Sequence, residues 1–167
     1  MKNLFIVFFC LVSVLAIKAN GQESLWKIQA VDYQGTYYGA AVANGGIGIL
    51  PWKEPFSVRH VMLNHVFDAA APQDVSRVLR GINPFNLQMQ IDGQGVSGDN
   101  ISGWRQCIDM KAATHDTHFT YGGKADISYS ICALRNMPYA GLVRVEVAAL
   151  EDMYLSVENP IEVPDEY

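Results

Sequence analysis

The chain has 167 residues, half of them apolar and 17% charged, with a formal net charge of −5. That length suits one domain, and the apolar share suffices for a packed core. An acidic chain without a Lys/Arg run excludes the electrostatics of a nucleic-acid binder, and no basic amphipathic stretch favours an anionic membrane.

In chain order, the first segment has the layout of a secretory signal peptide. Lys2 is followed by an apolar run over 4–17, broken only by Ser13, and then by Ala19-Asn20-Gly21. The run is shorter than the ~20 residues of a membrane span. Residues 1–21 are therefore expected to be removed on export to the periplasm or outside the cell, leaving a domain over 22–167 with no membrane association. Loss of Lys2 and Lys18 leaves ten basic side chains against seventeen acidic ones, a net charge of −7. Cys10 leaves with the signal peptide, and Cys107 and Cys132 remain. An oxidising compartment permits them to pair, but sequence sets no distance between them.

Residues 26–33 and 37–42 predict strands. Asn44-Gly45-Gly46-Ile47-Gly48 is glycine-rich but has neither the Lys-Ser/Thr of a P-loop nor the spacing of a dinucleotide fingerprint. Its glycines instead permit sharp turns and close strand approach. Residues 57–67 carry Val58, Val61, Met62 and Val66, which fit either a helix or a bulged strand. On a helix His65 and Asp68 would be neighbours near His60; otherwise all three are ordinary polar groups. Residues 75–79 are too few to assign.

Residues 86–92 alternate Leu87, Met89 and Ile91 with polar partners, a strand closed by Asp92-Gly93. Asn100-Ile101-Ser102 matches a glycosylation sequon, relevant only in a eukaryotic secretory pathway. His115 and His118 would share one face of a helix but opposite faces of a strand. Their neighbours favour a strand or loop, so a polar hairpin is expected and no metal site. Strands are predicted over 118–121, 125–133, 142–147 and 153–158, with turns at Gly122-Gly123-Lys124 and Asn136-Met137-Pro138. The segment with Pro160 and Pro164 reads as a connection. The whole predicts an all-β chain folded as an antiparallel β-sandwich.

Glycosidases use paired carboxylates. Glu54, Asp68, Asp92, Asp99, Asp109 and Asp116 are available, but sequence brings no two of them to the required separation. No serine nucleophile elbow appears. No catalytic residue, metal or cofactor is assigned. Trp26, Trp52, Trp104, Tyr37 and Tyr38 offer rings on which sugars stack. Trp52 and Trp104 are the candidate carbohydrate contacts.

An ordered set of segments carries the reading further. Tyr37-Tyr38-Gly39 is followed by Val42-Ala43-Asn44-Gly45-Gly46-Ile47-Gly48-Ile49. Then come Glu54-Pro55-Phe56, the strand over 86–92, Trp104-Arg105-Gln106-Cys107-Ile108-Asp109-Met110 and Ala133-Leu134-Arg135. Together they resemble the N-terminal β-sandwich of glycoside hydrolase family 65, most closely its exported bacterial members. The family comprises hydrolases and disaccharide phosphorylases acting on α-glucosides. The resemblance implies a supersandwich of the galactose mutarotase type, here incomplete, ahead of a catalytic α/α barrel that this sequence lacks. It also implies that α-linked glucose disaccharides are met through that barrel, and that the sandwich contributes to homodimerisation. A non-catalytic portion of an exported α-glucoside hydrolase is therefore expected. The alternatives are a stand-alone carbohydrate-binding module or an interaction domain without ligand.

Overall fold

A computed structural model describes residues 25–67 and 75–164. The expected signal peptide and Asp68 lie outside the described residues. Within them the chain is all-β, with twelve strands and no helix. The strands are β1 Lys27–Ala30, β2 Val42–Ala43, β3 Ile47–Pro51, β4 Val58–Phe67, β5 Val78–Arg80 and β6 Gln88–Ile91. The rest are β7 Gln94–Gly95, β8 Ile101–Asp109, β9 Thr114–Tyr121, β10 Ala125–Ala133, β11 Gly141–Ala149 and β12 Leu155–Glu158. They form a five-stranded sheet β1-β8-β9-β10-β11, a four-stranded sheet β2-β3-β4-β5 and a three-stranded sheet β12-β6-β7. Every named pairing is antiparallel. The expected β-sandwich is present, with open sheet edges.

The core follows from alternation along the central strands. In β10 Ala125, Ile127, Tyr129, Ile131 and Ala133 are buried, while Asp126, Ser128, Ser130 and Cys132 face outward half-buried. β9 alternates in the same way, so His115, Thr117, Phe119 and Tyr121 point inward. These side chains meet Ile47, Ile49, Val58 and Val61 of the four-stranded sheet and Met89 and Ile91 of β6. The turns obey their residues. Asp92 and Gly93, at φ 52° and 77°, join β6 to β7 in a two-residue hairpin of the left-handed kind that Asp-Gly favours.

Three sequence expectations change. Residues 37–41 are extended but unpaired, and only Val42 of that predicted strand enters β2. Gly39 instead packs closely against the end of β3, where a Cβ would lie 3.0 Å from the Pro51 carbonyl oxygen. The open choice over 57–67 resolves as strand β4, irregular where it meets β5 and with His65 at φ 66°. His65 therefore stands on a strand and not on a helix. β3 and β8 were not predicted as strands, because glycines interrupt their apolar alternation. Gly103, at φ 61°, sits in a register shift of β8.

Candidate functional site

A polar row crosses the centre of the apolar interior. The β8–β9–β10 register sets Gln106 beside Thr117 and Thr117 beside Tyr129. All three residues are buried. The Gln106 amide donates to the Trp52 carbonyl at 2.8 Å and to Thr117 Oγ1 at 3.1 Å. Its Oε1 accepts from the Tyr37 hydroxyl. Tyr129 Oη accepts from the Phe56 amide at 3.0 Å. Buried polar groups need such partners, and these bonds converge on the loop 52–57.

That loop is tightly built. Ser57 N donates to the Glu54 carbonyl and Trp52 N to the Ser57 carbonyl. Phe56 takes φ 61°, a left-handed conformation that costs a non-glycine residue about 1–3 kcal/mol. Its ring is held against Phe119 and Tyr129, with centroids 5.9 and 4.7 Å away. Glu54 accepts from the Tyr33 hydroxyl. The loop thus presents Trp52, Lys53 and Glu54 in one defined arrangement.

Around it lies an aromatic cluster. Tyr37 meets Trp52 edge-on at 5.1 Å and Trp104 at 6.2 Å, and Tyr33 meets Trp104 at 5.4 Å. Trp52 is half-buried, with the Arg59 guanidinium 4.3 Å from its ring centroid. Trp104 is only 5% exposed and lines a cavity of about 240 Å³ with Tyr33, Gln34, Gly98 and Ser102. Its Nε1 has no hydrogen-bond partner. The structure thus brings the two candidate tryptophans into one cluster through Tyr37. An apolar cavity of about 460 Å³, lined by Val61, Leu63, Phe85 and Tyr139 among others, carries no carboxylate.

Burial sets the proton affinities here. It pushes the Tyr37 hydroxyl up to about 12, and it raises Tyr33 as well, with Glu54 adding to the effect. Tyr129 is raised by the same cause. His115, buried beneath the sheet with Nδ1 unpartnered and Nε2 3.5 Å from the Tyr37 hydroxyl, is lowered to about 4 by burial against the pull of Asp116. The unfolded chain therefore takes up this proton from pH ~6.5 downward, while the folded chain resists until about 4. Folding stability from His115 is complete above pH ~6.5 and falls by roughly 3 kcal/mol as pH drops to about 4. Urea midpoints measured between pH 7.5 and 4 are expected to fall more steeply for the wild type than for His115→Gln. Parallel curves would show that His115 is not the group responsible.

Asp92, Asp109 and Asp116 have structural partners, and the histidines and cysteines form neither a metal cluster nor a disulfide among the described residues. His118 faces the opposite side of β9 from His115, as expected of a strand. No group of three or more metal-binding side chains exists among the described residues. Cys107 and Cys132 are free thiols. They stand on β8 and β10 with β9 between, a lateral offset of about 9–10 Å that exceeds disulfide reach. Asp92 accepts from Lys124 at 2.7 Å and from the Tyr154 amide at 2.9 Å. Asp109 accepts the Lys111 and Ala112 amides and pairs with Lys27. Hydrogen bonds, from Lys124 above all for Asp92 and from the Ala112 amide for Asp109, lower both acids. Asp116 accepts from Ser130 and Thr114.

The glycine-rich segment is a joint. Asn44 Oδ1 accepts the Gly46 and Ile47 amides, and its Nδ2 donates to the Leu134 and Met137 carbonyls, tying the β2–β3 turn to the β10–β11 loop. A Cβ on Gly46 would stand 3.2 Å from the Tyr139 amide. Gln106 and Tyr129 were not singled out individually by sequence reasoning, although Gln106 lies within the segment around Trp104 that it quoted.

No family model matches the sequence. The chain is 31% identical over 164 residues to a kojibiose hydrolase of Mucilaginibacter mallensis, covering 98% of this chain and 24% of the relative. It is 32% identical over 140 residues to a kojibiose hydrolase of Flavobacterium johnsoniae, covering 83% of this chain and 21% of the relative. The chain thus spans about a quarter of the length of the curated relatives it matches. As the resemblance to glycoside hydrolase family 65 implies, the chain is homologous to the N-terminal part of kojibiose hydrolases.

Proposed function

We propose that this chain is the non-catalytic sandwich portion of an exported glycoside hydrolase that acts on α-linked glucose disaccharides, with kojibiose the first substrate to consider. The observation that carries this reading is the homology, spread over nearly the whole chain, to one quarter of proteins named kojibiose hydrolase. The carboxylates support it. A glycosidase general acid needs a raised pKa. Asp92 and Asp109 are instead lowered and bound to lysines and backbone amides. Export rests on Lys2, the apolar run over 4–17 and Ala19-Asn20-Gly21. It favours hydrolysis over phosphorolysis, whose energy saving is realised inside a cell.

Within this reading, the rigid loop 52–57 presents Trp52 as a sugar contact, while Trp104 braces the wall of the adjoining cavity. Purified protein incubated with kojibiose is expected to release no glucose. Glucose release at a rate proportional to protein would overturn the non-catalytic assignment. Retardation on an immobilised α-glucoside, lost in Trp52→Ala, is the expected sign of the sugar contact. Retardation equal to that of the wild type would remove Trp52 from that role.

A further inference from the structure

We propose that Asn44 is a modification site: its side-chain amide is lost by spontaneous deamidation when the joint between the β2–β3 turn and the β10–β11 loop opens, and the carboxylate left behind keeps that joint from closing again. This inference is independent of the glycoside hydrolase reading, and every contact it uses lies within the described residues. Asparagine followed by glycine is the pair most prone to this reaction, because no side chain on the second residue shields its backbone nitrogen. Gly45 is exposed, and a Cβ built on it would meet nothing within 4 Å. In the reaction the Gly45 nitrogen attacks Asn44 Cγ and gives its proton to water. The N–Cγ bond forms, the Cγ–Nδ2 bond breaks, and Nδ2 leaves as ammonia. Water then opens the succinimide ring at either carbonyl, giving aspartate or isoaspartate. One water is consumed and one ammonia released, with no change of oxidation state.

The turn has no easy alternative to this pair. Gly45 stands at φ 89°, a conformation that favours glycine. Position 44 uses both ends of an amide. Oδ1 accepts the Gly46 and Ile47 amides at 2.9 and 3.0 Å, and Nδ2 donates to the Leu134 and Met137 carbonyls at 2.6 and 3.3 Å. Aspartate would serve the first pair of bonds but not the second.

The same bonds restrain the reaction. They hold the leaving nitrogen between two carbonyls of another loop and point Oδ1 past Gly45. Asn64 clamps the turn from β4: its Nδ2 donates to the Gly45 carbonyl at 2.8 Å, and its backbone amide to the Gly46 carbonyl at 2.8 Å. Turning Cγ onto the Gly45 nitrogen releases the bonds to Leu134 and Met137, so the rate follows the population of the opened joint. Once formed, a carboxylate at 44 faces those two carbonyls with no proton to share, which leaves acceptors opposed to one another. Isoaspartate also inserts a methylene into the main chain, where the two loops already pack so closely that a Cβ on Gly46 would stand 3.2 Å from the Tyr139 amide.

The test is peptide mapping by mass spectrometry of purified protein aged at mildly alkaline pH, native and in urea. Mapping separates Asn44 from Asn20-Gly21, the other Asn-Gly pair of the sequence. Deamidation at Asn44 is expected in both, roughly tenfold or more slower in the native protein, as protection by local structure requires. Asn64→Ala, which leaves the dipeptide intact, is expected to quicken the native reaction several-fold. The deamidated fraction, separated by ion exchange, is expected to unfold at lower urea than the unmodified one, and Asn44→Asp to match its aspartate form. Native and urea rates that agree would overturn the proposal, as would an Asn64→Ala rate equal to that of the wild type. A deamidated fraction with an unchanged urea midpoint would overturn it as well.

Discussion

Phe119→Ala is expected to lower folding stability by about 3–5 kcal/mol, the usual range for deleting a buried aromatic ring. Domains of this kind hold about 5–15 kcal/mol in all, so the variant stands near the edge of folding. The reason is position as well as size. Phe119 is fully buried on β9, and its ring meets both Phe56 and Tyr129 edge-on. Its loss opens a cavity beside Phe56, a buried residue whose backbone is left-handed. Chemical denaturation measures the effect, with Tyr154→Ala as the comparison. Tyr154 is 87% exposed, and its truncation is expected to stay within about 0.5 kcal/mol. A Phe119→Ala midpoint close to that of Tyr154→Ala would show that the sandwich interior is not packed as described.

Gln106→Leu is expected to rank next. Leucine fills a similar space but makes none of the bonds. The Trp52 carbonyl and the hydroxyls of Thr117 and Tyr37 lose their partner together. A buried polar group left unsatisfied costs about 1–3 kcal/mol; Tyr37 keeps His115 nearby and Thr117 keeps Tyr129, so a loss of about 1–3 kcal/mol is expected. The loss has a location. Amide exchange over 52–57 is expected to quicken well beyond that of β6, because Gln106 holds that loop at the Trp52 carbonyl. Uniform quickening across the domain would instead indicate a purely global loss. A change in stability under about 0.5 kcal/mol would mean that water replaces the amide at no cost.

The sandwich was legible where side chains alternate cleanly. Ile127, Tyr129 and Ile131 against Ser128 and Ser130 mark β10 without ambiguity, and Leu87, Met89 and Ile91 mark β6. β8 was hidden because the register shift between Ser102 and Arg105 breaks its alternation, and its inward positions hold a tryptophan and a glutamine. β4 was ambiguous because Val61 and Met62 are adjacent apolar residues, of which only Val61 is buried. The site was legible only in part. The tryptophans stand out as residue types, but the polar row beneath them depends on register across three strands, which no local pattern reports. Gln106 in isolation looks like a surface residue. Only its alignment with Thr117 and Tyr129 makes it an interior one.

That row also sets an order of events. β8, β9 and β10 are consecutive and joined by short turns, so their meander closes with little loop entropy. The loop 52–57 precedes Gln106 by some fifty residues, and the Gln106–Trp52 and Phe56–Tyr129 bonds span 54 and 73 positions. The donors and acceptors that receive the loop are thus expected to be in place before it docks. Docking of the loop becomes a late step that converts a preassembled meander into a closed interior. Until it docks, Gln106, Thr117 and Tyr129 are expected to face water, and closing the interior to mean drying that seam.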